Sequence, residues 1–173
     1  MGETFKALLG AKRQLQACYQ DVERLYKRVK ELEKQLAPIL PPKIMAQITM
    51  LEVYEMLIEV GIPSEHIYLS DSVFDITTEE EIGRFLAWDE TDELHYTPRL
   101  YDCENFTRRL LGNISIPGWA RIAFGKAWGD VGFGEHALNI SIHQRNGVTG
   151  VFYLEAQTDE IKPLIGQFRW AEI

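Results

Sequence analysis

Residues 5–37 hold no proline and a single glycine, Gly10. Their apolar residues recur at alternating spacings of three and four: Leu8, Ala11, Leu15, Cys18, Val22, Leu25, Val29, Leu32 and Leu36. That spacing makes one long helix with an apolar seam of period 3.5 rather than 3.6. With Leu8 at position a, the a series is Leu8, Leu15, Val22, Val29 and Leu36, and the d series is Ala11, Cys18, Leu25 and Leu32. Valine at a with leucine at d favours a parallel two-stranded coil, in which Arg28 and Glu33 form an interhelical pair. A homo-oligomer, a parallel coiled-coil dimer, is therefore expected. The same stripe also fits a helix laid on its own domain. Cys18 reads as a small apolar residue of the seam.

Pro38, Pro41 and Pro42 end that helix and form a short stiff linker. The expected organisation is an N-terminal coiled-coil-like helix over 1–37, a Pro-rich linker over 38–42, and one α+β domain over 43–173. A helix over 43–60 would place Ile44, Ile48, Leu51, Tyr54, Leu57 and Ile58 on one face, with Gly61 as its stop. Thr77 or Thr78 caps a helix with Glu79, Glu80 and Glu81 in its first turn, favourable against the helix dipole. Residues 103–111 read as a helix ending at Gly112, and residues 119–128 as a strand. Strands over 136–144 and 151–158 meet at Asn146-Gly147, the strongest short hairpin signal in the chain. Gln167 to Trp170 reads as a last strand.

The formal charge is −8 and the isoelectric point is near 5.0. Both argue against nucleic acid or an anionic membrane as the main partner. No basic segment followed by an apolar run opens the chain, and no stretch reaches the roughly 20 apolar residues of a membrane span. The two cysteines, Cys18 and Cys103, lie in separate segments, which fits a reducing compartment and a cytoplasmic location.

Cys103 opens its helix in the run Tyr101-Asp102-Cys103-Glu104-Asn105-Phe106. His136 stands near the start of one hairpin strand, and Glu155 and Gln157 lie at the far end of the other. Cysteine at a helix start, histidine on a strand and a carboxylate or amide on the next strand is the chain order of a papain-like thiol hydrolase. A helix N-terminus and an imidazole both favour the thiolate. The histidine needs a partner to fix its ring. A two-residue turn at Asn146-Gly147 sets His136 opposite Gln157 and Leu138 opposite Glu155, so Glu155 is a diagonal neighbour of His136. Asn139 has the wrong parity. Tyr96 or Tyr101, with the backbone N–H of Cys103, would serve as oxyanion donors.

The runs Tyr-Asp-Cys-Glu-Asn-Phe, His-Ala-Leu-Asn and Glu-Ala-Gln-Thr, within residues 96–162, resemble the papain-like C-terminal protease domain of the fairy-ring mushroom agglutinin. The resemblance implies Cys103 as nucleophile, His136 as general base and Glu155 as orienting carboxylate. It implies a peptide or protein substrate and activation by calcium, with Asp102, Glu104, Asp130 and Asp159 near the motifs. The chain departs from that pattern at Ala156, where the family carries proline. A heptad helix also stands in place of the agglutinin's sugar-binding trefoil.

A cysteine peptidase self-associating through its first helix is thus the leading expectation. The alternative is a catalytically inactive oligomeric structural or adaptor module on the same scaffold, because function resides in the site and not in the fold. His66, His95 and His143 lack zinc-ligand spacing. The glycines at 125–134 lack the context of a phosphate loop. Trp119, Trp128 and Trp170 are expected in the core or as cleft walls.

Overall fold

A computed structural model describes residues 2–36, 40–132 and 134–173, with side chains of the first helix described at 12 and 14–32. The chain divides into two compact units, Met1–Leu40 and Pro41–Ile173. The first is a single helix, α1 (Gly2–Leu36). Leu15, Val22, Leu25 and Val29 stand exposed along it. The long helix that the spacing predicts over 5–37 is present as α1. Ion pairs Asp21–Arg24 (2.9 Å) and Glu23–Lys27 (3.2 Å) lie on its surface. The expected linker falls partly on residues 37–39, outside the described residues.

The second unit runs β1 (Ala46–Thr49), α2 (Met50–Glu59), a 3-10 turn (Ser64–His66), β2 (Ile67–Tyr68), β3 (Val73–Ile76), α3 (Glu79–Leu86), α4 (Cys103–Ile114), β4 (Phe124–Asp130), β5 (Glu135–Arg145), β6 (Val148–Glu155), β7 (Glu160–Pro163) and β8 (Gln167–Glu172). It is an α+β fold. Strands β1 and β3 form a two-stranded antiparallel sheet. The other six make one mixed sheet in the order β2-β8-β4-β5-β6-β7, parallel only between β2 and β8.

Strand β5 is the middle of this sheet, and residues 137–143 are buried on both of its faces. Leu138, Ile140 and Ile142 point to one core with Ala127, Tyr153, Ala171 and the α2 residues Val53 and Leu57. The opposite face is covered by α3 and α4, whose Phe85, Phe106 and Leu110 pack with Phe124, Leu154 and Trp119 in a second core. Asn139 lies on this second face. Its Nδ2 donates to Thr107 O and Gly125 O, both at 3.1 Å, and so pins α4 to the sheet. Gly125 is required here, because a Cβ would stand 1.8 Å from the carbonyl oxygen of Glu172 in the neighbouring strand.

The hairpin forms as its turn residues dictate. Asn146 and Gly147 both take positive φ, 54° and 79°, and Asn139 pairs with Leu154, the register expected from a two-residue turn. Thr78, and not Thr77, caps α3 by accepting from Glu81 N. The expected helix over 43–60 is shorter by one strand. Thr49 caps α2, and Glu52 accepts from Thr49 N at 2.7 Å in a capping box, so residues 46–49 are released to pair with β3. The strand expected from residue 119 begins at Phe124, and Trp119 is instead wholly buried beneath α3 and α4. Helix α4 runs through Gly112 to Ile114.

Candidate functional site

Helix α4 starts where Asp102 leaves the helical region and Asn105 Oδ1 accepts from Asp102 N at 3.1 Å. This places Cys103, a free and half-buried thiol, at the first helical position. Across the hairpin, His136 Nε2 and Glu155 Oε2 lie 2.7 Å apart, both largely buried. The other oxygen of Glu155 accepts from Gln157 N at 3.3 Å and from Gln157 Nε2 at 3.4 Å. The structure therefore joins His136, Glu155 and Gln157 into one cluster. No hydrogen bond to Cys103 Sγ is found among the described residues. By strand alternation His136 shares the parity of Leu138 and Ile140, whereas α4 lies against the face of Asn139.

The two tyrosines expected as oxyanion donors pack on Phe106. Tyr101 meets its ring edge-on at 4.9 Å between centroids, with its buried hydroxyl unpartnered among the described residues. Tyr96 stacks on it at 6.5 Å. Two of the acidic residues near the motifs, Glu104 and Asp130, are occupied locally. Glu104 pairs with Arg108 at 2.9 Å, and Asp130 Oδ1 accepts from Gly132 N and Gly134 N. Those two backbone donors hold the Asp130 carboxyl below its usual range. Among the described residues, no group of three or more His, Cys, Asp or Glu is arranged to hold a metal ion.

A groove opens at a different place. The sheet face beside α4 is uncovered toward β4, β8 and β2. There a groove of about 470 Å³ is lined by Glu104, Thr107 and Arg108 of α4, Lys126 and Trp128 of β4, and Arg169 and Trp170 of β8. Trp128 and Trp170 are direct cross-strand partners, so their indoles project side by side. A second hollow of about 520 Å³ shares Lys126, Arg169 and Trp170 and continues to Tyr68 and His66 of the edge. Tyr68 pairs with Glu172 and Glu172 with Lys126, which places Trp128, Trp170 and Tyr68 on one face in a strip across three strands.

Each cation of the strip has a carboxylate. Lys126 pairs with Glu172 at 3.2 Å, Arg108 with Glu104 at 2.9 Å and Arg169 with Glu135 at 2.5 Å. Glu135 also accepts from Trp128 Nε1 at 2.7 Å, and Lys126 Nζ stands 5.7 Å from the Trp170 ring centre. The groove therefore offers aromatic faces, donors and acceptors with no net excess of charge. Sequence reasoning placed Trp128 and Trp170 only as core or cleft walls. The alternation Lys126-x-Trp128 and Trp170-x-Glu172 was the signal for a shared face.

No family model matches the chain, and no curated protein matches it. Among solved structures it is similar to the PSL1a–E64 complex, with a TM-score of 0.63, 17% identity, 73% of this chain covered and 51% of that one. It is also similar to the Polyporus squamosus lectin bound to the human-type influenza-binding epitope Neu5Aca2-6Galb1-4GlcNAc, with a TM-score of 0.59, 16% identity, and 73% and 49% covered. These likenesses establish the fold. The chain spans about half the length of the structures it matches. They correct the expectation of a protease domain of the agglutinin type to a fold shared with a lectin, the second structure being a lectin bound to a glycan epitope. The thiol-protease description falls with it.

Proposed function

We propose that the second unit is a non-catalytic binding module whose ligand is a neutral oligosaccharide held along the Trp128–Trp170–Tyr68 strip. The observation that carries the reading is the pair of indoles set side by side on an uncovered sheet face and bordered by paired charges. A pyranose presents a face of weakly positive C–H groups, which suits the negative face of an aromatic ring. Its equatorial hydroxyls are at once donors and acceptors, which suits neighbouring guanidinium and carboxylate groups. Open grooves with aromatic walls and a few placed polar groups are the usual form of such sites. Because Lys126, Arg108 and Arg169 each already face a carboxylate, an anionic ligand would compete with those carboxylates, whereas a neutral one need not.

The likeness to a lectin supports this reading at the level of fold only, and the strip supports it at the level of chemistry. His136, Glu155 and Gln157 take a structural role in it: they tie the open end of the β5–β6 hairpin, and Cys103 begins the helix that forms one bank of the groove. A glycan array probed with the full chain tests the proposal. Binding to neutral oligosaccharides that is lost in Trp170→Ala, with an unchanged far-UV spectrum, is the expected result. Absence of binding to any neutral glycan would overturn it.

A further inference from the structure

The first unit leaves an apolar seam open. Leu15, Val22, Leu25, Val29 and Leu32 are exposed by 39% (Leu32) to 60% (Leu25), and Cys18 is exposed among them. At about 1.5 Å per residue the 35 residues of α1 extend about 52 Å. A helix gains most of its stability from packing an amphipathic face, and the described seam residues of α1 stand exposed. We infer that α1 pairs with the α1 of a second copy, parallel and in register, making a two-chain assembly. This inference is independent of the ligand proposed above.

Three features select a second copy and this direction. The seam keeps a strict three-four alternation from Leu8 to Leu36, the period of a left-handed supercoil of like helices. In the parallel register the flanking position of Arg28 on one helix meets Glu33 on the other, twice by symmetry, and Asp21 and Gln14 meet Tyr26 and Tyr19, so no like charges face each other. Along the helix itself, Asp21 pairs with Arg24 and Glu23 with Lys27. Cys18 then faces Cys18 of the second copy across the seam. Two ligand strips on one assembly would also raise avidity for a multivalent glycan surface.

Sedimentation velocity of the full chain at about 10 µM, in reducing buffer, is the first reading. The expected mass is twice the 19.9 kDa of the chain. Val22→Glu with Leu25→Glu should return the monomer while leaving the near-UV spectrum of the second unit unchanged. Direction is read with diamide in a Cys103→Ala background. The two Cys18 thiols lose two protons and two electrons to diamide, which becomes the hydrazine, and a reducible covalent dimer appears within minutes. A monomer at this concentration, a dimer unaffected by the paired glutamates, or a trimer or larger species would overturn the inference. A dimer that diamide leaves uncrosslinked would overturn its parallel register.

Discussion

His143 is wholly buried on β5, stacked 4.2 Å from the Phe152 ring and 3.1 Å from Ser141 Oγ. Burial lowers its pKa to about 4, outweighing the opposing pull of Glu79, with Arg145 adding a smaller push in the same direction. The unfolded imidazole titrates near 6.5, so between these values the unfolded chain binds the extra proton. Stability should therefore rise with pH from about 4 to 6.5 and be lost as pH falls through that window. Urea midpoints across pH 4–7 should show this slope, and His143→Gln should flatten it. Asp159 has the opposite sign. Burial first, then Asp92 and Asp89, raise its carboxyl to about 7. Here the folded state holds the proton between pH 3.8 and 7, so stability falls as pH rises. Asp159→Asn should melt higher than wild type at pH 8, with the gap closing by pH 4. A third test belongs to Cys103. Iodoacetamide should label it at the same rate in wild type and in His136→Ala between pH 6 and 8, because the imidazole bonds Glu155 and, among the described residues, no hydrogen bond reaches the thiol. A tenfold drop in the variant would show a working Cys–His pair and contradict a non-catalytic module.

Among the elements, β4 has the least tolerance. Gly125→Ala would push a methyl into the Glu172 carbonyl, an overpacking that costs about 1–3 kcal/mol in a well-packed core. Chemical denaturation should find that loss, and it should exceed the loss from Thr49→Ala, a helix cap worth about 1 kcal/mol. The elements that sequence revealed best are those fixed by neighbouring residues. Asn146-Gly147 sets the β5–β6 register locally, and that register is why the His136–Glu155 contact was legible. The start of α3 is likewise a local matter of Thr78 and three glutamates. Residues 46–49 misled because Ile44 and Ile48 continue a helical spacing, and only the pairing of β1 with β3, some thirty residues on, decides against it. The groove was hidden for the same reason. Trp128 and Trp170 become neighbours only when β8 returns to pair with β4, and Glu104 and Arg108 join them only when α4 docks through Asn139.

In the whole molecule, a helix with an open seam is joined in sequence to an α+β unit with an open aromatic strip. The short motifs around Cys103, His136 and Glu155 weighed heavily at the sequence level because they are contiguous. The strip is assembled from three distant segments, so its chemistry emerges only from the fold. The chain has four tryptophans, and they divide cleanly between two roles. Trp119 is buried in the core and Trp88 packs edge-on to Phe85 near α3, while Trp128 and Trp170 floor the groove. The most direct measurement is a titration of the ¹⁵N-labelled full chain with a neutral oligosaccharide series, read at the four indole N–H resonances. Saturable shifts at Trp128 and Trp170 are expected, with Trp88 and Trp119 unmoved. Shifts confined to Trp88 or Trp119, or four indoles unmoved by every oligosaccharide, would contradict it.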